Sequence, residues 1–125
     1  MTAGMFLAVS LAGGLGAVCR FVLDLLIPRK GERRLPWSTI LINISGSFAL
    51  GFLAGVASSR LLPEALVGVL SGGFLAGFTT FSTASTDTIQ LFRAREWARG
   101  LFNGLGVLLL AITAAGTGLL LGSLL

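Results

Sequence analysis

The stretch GGFLAGFTTFSTASTDT, residues 72–88, joins a glycine-spaced apolar half to a hydroxylic half. Upstream, Gly68/Gly72 and Gly73/Gly77 are pairs of small residues four apart. In lipid such pairs let two helix backbones approach closely. Downstream, seven of the ten residues from Thr79 to Thr88 carry hydroxyls. A plain lipid-facing helix has no use for so many. Two readings stand: the hydroxyls bond back to their own helix carbonyls, or they line a polar path and replace water around an ion. Gly77, just before Thr79 and Thr80, predicts a local break in the helix. A broken helix at membrane depth exposes backbone carbonyls, and these can bind a cation.

Working outward, this stretch lies in a long apolar run at 65–92. Three more such runs lie at 5–27, 37–57 and 101–125. About 20 apolar residues cross the hydrocarbon core as a helix. Barrel strands would show about ten alternating residues instead, and lipid satisfies no backbone group, so these spans are helices. The connections are short, which sets neighbouring spans antiparallel. No internal repeat is visible, so an inverted-repeat transporter does not fit within one chain. The reading is an all-α membrane protein. It has a single four-helix transmembrane domain over residues 1–125, with the third helix broken near Gly77.

Composition agrees. Of 125 residues, 54% are hydrophobic and 11% charged, and the mean hydropathy is +0.94. A soluble domain carries about 25% charged residues. The N-terminus lacks a basic n-region, and the apolar run after it is too long for a signal h-region. The first span is therefore expected to stay in the protein.

The net charge of +4 sits in short loops between apolar runs, a juxtamembrane pattern that argues against nucleic acid. Arg29, Lys30, Arg33, Arg34, Arg93, Arg95 and Arg99 fall in loops one and three, and Arg60 falls on the other side. Seven cations against one place loops one and three in the cytoplasm and both termini outside a cell membrane.

Several polar residues interrupt the spans. Asn43, Ser47, Gly51 and Gly55 recur every fourth residue and form one helical stripe. Asn43 offers amide N–H donors suited to an anion, or it is interhelical glue. Arg20 is an intramembrane cation, functional by default, unless it snorkels to the interface or pairs structurally. Asp87 balances charge near the end of the third span. Phe81 sits inside the hydroxyl run, where a ring edge can face an anion. Trp37 and Trp97 read as interfacial anchors, and Cys19 as a small packing residue. With no His and a single Cys, there is no transition-metal constellation and no base beside the hydroxyls. An enzyme is not indicated.

Three stretches now resemble a known family. GGLGAVCR at 13–20, NISGSF at 43–48 and GFLAGFTTFST at 73–83 look like the hallmark segments of the Fluc fluoride channels. They occur in order, on the matching spans, in a chain of matching length. The resemblance implies passive fluoride efflux that reduces cytoplasmic fluoride toxicity, through an antiparallel dimer with two narrow pores. It also implies a central structural Na⁺ held by backbone carbonyls at the third-helix break, at positions matching Ala76 and Thr79. Ala76 stands where the family usually has Gly. By the same resemblance the fluoride path matches Asn43, Phe81, Ser82 and Thr83, and the first-helix arginine matches Arg20. Departures are Ala84 in place of a second pore Phe, Asp87 in place of Glu, and apolar Val107 and Ala111 where hydroxyls are common.

Two rival readings are a non-conducting subunit of a heterodimeric channel and a small four-helix multidrug exporter. The exporter needs a membrane-embedded carboxylate, and the nearest acid is Asp24, close to the first loop. The loop charges add one more expectation. Six excess cations bias insertion by roughly 2 kcal/mol, or about 30-fold. Chains inserted the same way cannot form an antiparallel pair, so the partner is expected to be an oppositely oriented paralogue.

Overall fold

The computed structural model describes residues 1–27 and 35–125. The first-loop cations Arg29, Lys30, Arg33 and Arg34, on which most of the charge asymmetry rests, lie outside the described residues.

The described residues form four apolar helical spans long enough to cross a membrane, at Ala3–Leu26, Trp37–Ser58, Glu64–Arg93 and Trp97–Ser123. The first two are the uninterrupted helices α1 (Ala3–Leu26) and α2 (Trp37–Ser58). Thr2 caps α1, its hydroxyl accepting the Met5 N–H at 3.1 Å. The third span is composite. It runs through α3 (Glu64–Gly68), a π-helical segment π1 (Val69–Leu75), the single turn α4 (Ala76–Phe78), and then α5 (Phe81–Arg93). The fourth consists of α6 (Trp97–Leu101), a second π-helical segment π2 (Phe102–Gly106) and α7 (Val107–Ser123). The fourth span starts earlier than the sequence indicates, because Trp97 to Gly100 are already helical.

Packing is between alternate spans. Helix α1 lies along π1 and α4, and α2 lies along α7. Glycine permits both contacts. A Cβ on Gly16 would run into the Phe74 carbonyl oxygen, and one on Gly77 into that of Gly13. On the other pair, a Cβ on Gly51 would strike the Ala115 carbonyl, and one on Gly118 that of Phe48. Backbone-to-backbone approach of this kind is how lipid-embedded helices gain dispersion contacts without a hydrophobic driving force.

The core is small: Ile40, Ile42, Val56, Leu91 and Val107 are its buried apolar side chains. Most large apolar residues of α1 and α7 point outward, among them Phe6, Leu15, Phe21, Leu109 and Leu120. The exposed surface is 7961 Å², against about 6,300 Å² for a compact soluble monomer of this mass. The large apolar side chains exposed on it need lipid or protein to cover them.

Helix α5 ends in a Schellman motif. Glu96 N–H donates to Leu91 O at 2.9 Å and Arg95 N–H to Phe92 O at 3.0 Å. Arg95 takes the left-handed position, with φ 60°.

Candidate functional site

The third span breaks at Thr79 and Thr80, two residues beyond Gly77. Both are extended, with φ/ψ of −81°/158° and −145°/118°. The helix carries on past Gly77 because the Leu75 carbonyl still receives the Thr79 N–H at 3.0 Å and the Thr79 hydroxyl at 3.1 Å. Gly77 serves instead as the contact with Gly13.

Asn43 of α2 holds the break. Its Nδ2 donates to Thr80 O at 2.7 Å, and its Oδ1 accepts the Thr80 N–H at 2.8 Å. In an unbroken helix that N–H would serve the Ala76 carbonyl four residues back. Asn43 therefore replaces a backbone bond with a side-chain pair and leaves the Ala76 carbonyl free. Such oxygens suit a hard cation. The interhelical-glue reading of Asn43 is present in the geometry, and one of its two amide N–H groups remains for another acceptor.

Below the break, Thr80 caps α5, its hydroxyl accepting the Thr83 N–H at 3.3 Å. The face of α5 that follows carries Phe81, Ala84, Ser85 and Thr88, spaced by three and four residues. This face forms one wall of a groove of about 440 Å³. Asn43 and Ser47 of α2, Ser71 of π1, Ala76, Thr79 and Thr80 also line it, as do Asn103, Val107 and Ala111 of the fourth span. Phe81 projects at its rim, 87% exposed.

Of the residues read from the sequence, Asn43, Ala76, Thr79 and Phe81 thus meet in one groove. Ser82 and Thr83 do not line it. Ser82 is exposed, 3.4 Å from the Thr80 hydroxyl. Thr83 faces a separate cavity of about 130 Å³ with Arg20, Asp24, Thr39 and Thr80. Arg20 is half-buried, and its buried Nε has no hydrogen-bond partner among the described residues. Asp24, on the same helix, accepts a hydrogen bond from the Ser38 hydroxyl and ties α1 to α2. Asp87 is buried, 5% exposed.

Among the hydroxyls that line the groove, some bond back to their own helix. The Ser71 hydroxyl bonds back to Val67 O at 2.6 Å and the Thr88 hydroxyl to Ala84 O at 2.8 Å, as hydroxyls in a plain helix do. Asn103 escaped the sequence reading. It is buried, 4% exposed, and its Nδ2 donates to the Thr88 hydroxyl oxygen at 2.9 Å. Its signal was a lone amide in an otherwise apolar span.

Residues 7–119 match the family described as CrcB-like protein, Camphor Resistance (CrcB). The chain is 44% identical over 124 residues to fluoride-specific ion channel FluC 1 of Leifsonia xyli subsp. xyli, covering 99% of this chain and 90% of that protein. It is 41% identical over 117 residues to fluoride-specific ion channel FluC of Magnetococcus marinus, covering 93% and 95%. Against fluoride-specific ion channel FluC 2 of Mycobacterium bovis, identity is 36% over 115 residues, covering 92% and 88%.

Proposed function

The chain belongs to the CrcB-like family, and from that membership we propose that it is one subunit of a fluoride-specific ion channel. Passive efflux through such a channel lowers cytoplasmic fluoride. The observation that carries this reading is the lining of the large groove. Among the described residues it contains amides and hydroxyls but no carboxylate and no basic side chain. A path of neutral donors conducts an anion without an obligatory protonation step. An exporter coupled to protons would need an embedded acid there.

The parts divide as follows. The free N–H of Asn43 and the exposed Phe81 edge face the anion, with Ser85 and Thr88 further along the same wall. Ser82 and Thr83 serve the approach on the Arg20 side. The carbonyls of Ala76 and Thr79 are the donors for a structural Na⁺, which would bridge two subunits and take no part in anion movement. Half-buried Arg20 and buried Asp87 contribute charge inside the bundle. The subunit pairs antiparallel with an oppositely oriented paralogue in the cell membrane, with its termini outside and loops one and three cytoplasmic.

The test is fluoride efflux from liposomes, with chloride as the comparison. The chain is reconstituted alone and together with an oppositely oriented homologue. Efflux of fluoride but not chloride, with no imposed proton gradient, is the expected result. Efflux that requires a proton gradient, or equal chloride flux, overturns the channel reading. Efflux from the chain alone, with a C-terminal tag found on both faces, overturns the paralogue pairing.

A further inference from the structure

We propose that the turn between spans three and four docks the phosphate headgroup of an anionic lipid, held by Arg93 and Arg95, with Trp97 against the lipid's glycerol end. The proposal concerns the membrane surface of the bundle and is independent of what the groove conducts.

Span three ends at Arg93 and span four begins at Trp97, so the turn lies where hydrocarbon gives way to headgroups. Residues 93–99 read RAREWAR, three arginines and one glutamate. Glu96 pairs with Arg99 at 3.5 Å. Arg93 and Arg95 are exposed, and their guanidiniums make no hydrogen bond or ion pair among the described residues. Two uncompensated cations therefore stand in one turn.

Arg93 by itself says little, because a cation in the last turn of α5 is favoured by the helix dipole. Arg95 says more. It holds the left-handed position of the Schellman motif, φ 60°, where glycine carries no strain. A strained arginine at this point indicates a task for its guanidinium. The aromatic residues supply the other half of the site. The rings of Phe92 and Trp97 lie 5.7 Å apart at 34°, and the Phe92 ring fills the space beside Gly100, where a Cβ would come within 2.7 Å of it. This brace ties α5 to α6 and leaves Trp97 63% exposed. An indole open at the interface sits at headgroup level, and the guanidinium fork matches phosphate. A soluble phosphate would use the arginines alone. A phospholipid uses both parts, which selects the lipid.

The opposing account is a diffuse attraction between cationic loops and anionic lipid, with no local site. Trp97 is its own reporter. The variant Trp37→Phe leaves it as the single tryptophan. The assembled channel is reconstituted in phosphatidylcholine vesicles containing brominated phosphatidylglycerol or, at equal mole fraction, brominated phosphatidylcholine, and quenching of Trp97 is measured. Each cation near the surface is worth about fivefold. Phosphatidylglycerol should therefore be preferred at Trp97 by about 25-fold, and Arg93→Gln and Arg95→Gln should each remove about fivefold. Equal quenching by the two lipids overturns the proposal, as does a preference that survives both substitutions. Trp37 is the control, since it begins α2 on the same side of the membrane and is exposed. With Trp97→Phe instead, the lipid preference at Trp37 should not change when Arg93 and Arg95 are replaced. An equal fall at both tryptophans establishes the diffuse account and overturns the site. Replacing chloride by inorganic phosphate at matched ionic strength should leave the preference at Trp97 in place. Its loss would assign the arginines to a soluble anion and overturn the lipid. Should the double variant fail to assemble, the two single variants decide by the same readout.

Discussion

Asn43 and Thr80 exchange two hydrogen bonds across spans two and three, Nδ2 to Thr80 O at 2.7 Å and Thr80 N–H to Oδ1 at 2.8 Å. The pair reproduces, from a side chain, the donor and acceptor that a helix would have supplied. It makes the break in the third span a property of two elements rather than of one.

The variant Asn43→Leu removes both bonds and leaves a peptide N–H and a carbonyl without partners inside the bundle. About 2–4 kcal/mol of stability should be lost, and fluoride efflux should fall more than about tenfold. Thermal unfolding in detergent and liposome efflux check this. An unchanged Tm would show that the break does not depend on Asn43.

Glycines at the two packed seams should differ sharply from those facing outward. Gly16→Ala and Gly118→Ala each drive a methyl group into a carbonyl oxygen of the neighbouring span. Overpacking of this sort typically costs about 1–3 kcal/mol. At Gly14 and Gly116 a Cβ meets nothing within 4 Å, so Ala there should stay within about 0.5 kcal/mol of the parent. Tm values for the four variants test the pattern. Equal losses at all four positions would contradict it.

Arg95 is an arginine in a left-handed conformation, φ 60°, where glycine carries no Cβ penalty. Arg95→Gly should therefore stabilise the end of α5 by about 1 kcal/mol. Chemical or thermal unfolding reads this directly, and a lower Tm would show that the guanidinium contributes more than the strain costs.

Exchange of Na⁺ for a large organic cation should lower the Tm of the assembled channel if the Ala76 and Thr79 carbonyls hold a cation between subunits. Ligand linkage predicts a gain of about 2.7 kcal/mol at 100 times the dissociation constant. A Tm that is identical in both salts would remove Na⁺ from the assembly.

The four spans were legible because lipid demands long apolar runs, and nothing else in the chain competes with that signal. The break was legible to within two residues. Gly77 marks a close approach to Gly13, whereas the interruption itself is set by Asn43, which is distant in sequence and invisible to local pattern. Hydroxyl counting identified a polar stretch but not its faces. Once the helix restarts at Phe81 its phase is reset, which turns Ser85 and Thr88 to the groove and Thr83 toward Arg20. Asn103 stayed hidden because periodicity at 3.6 residues gives no warning of a π-helical turn.

The pairing of spans one with three and two with four has a consequence for biogenesis. As the chain emerges in order, the first two spans reach the bilayer before either has its main packing partner. The first seam closes only after Phe78 has been made, and the second only after Gly122 has been made. Hairpins of neighbouring spans therefore leave both main seams open. The compaction of the fold is a late, non-local event, and until then the Asp24–Ser38 bond is one tether between the two spans that arrive first.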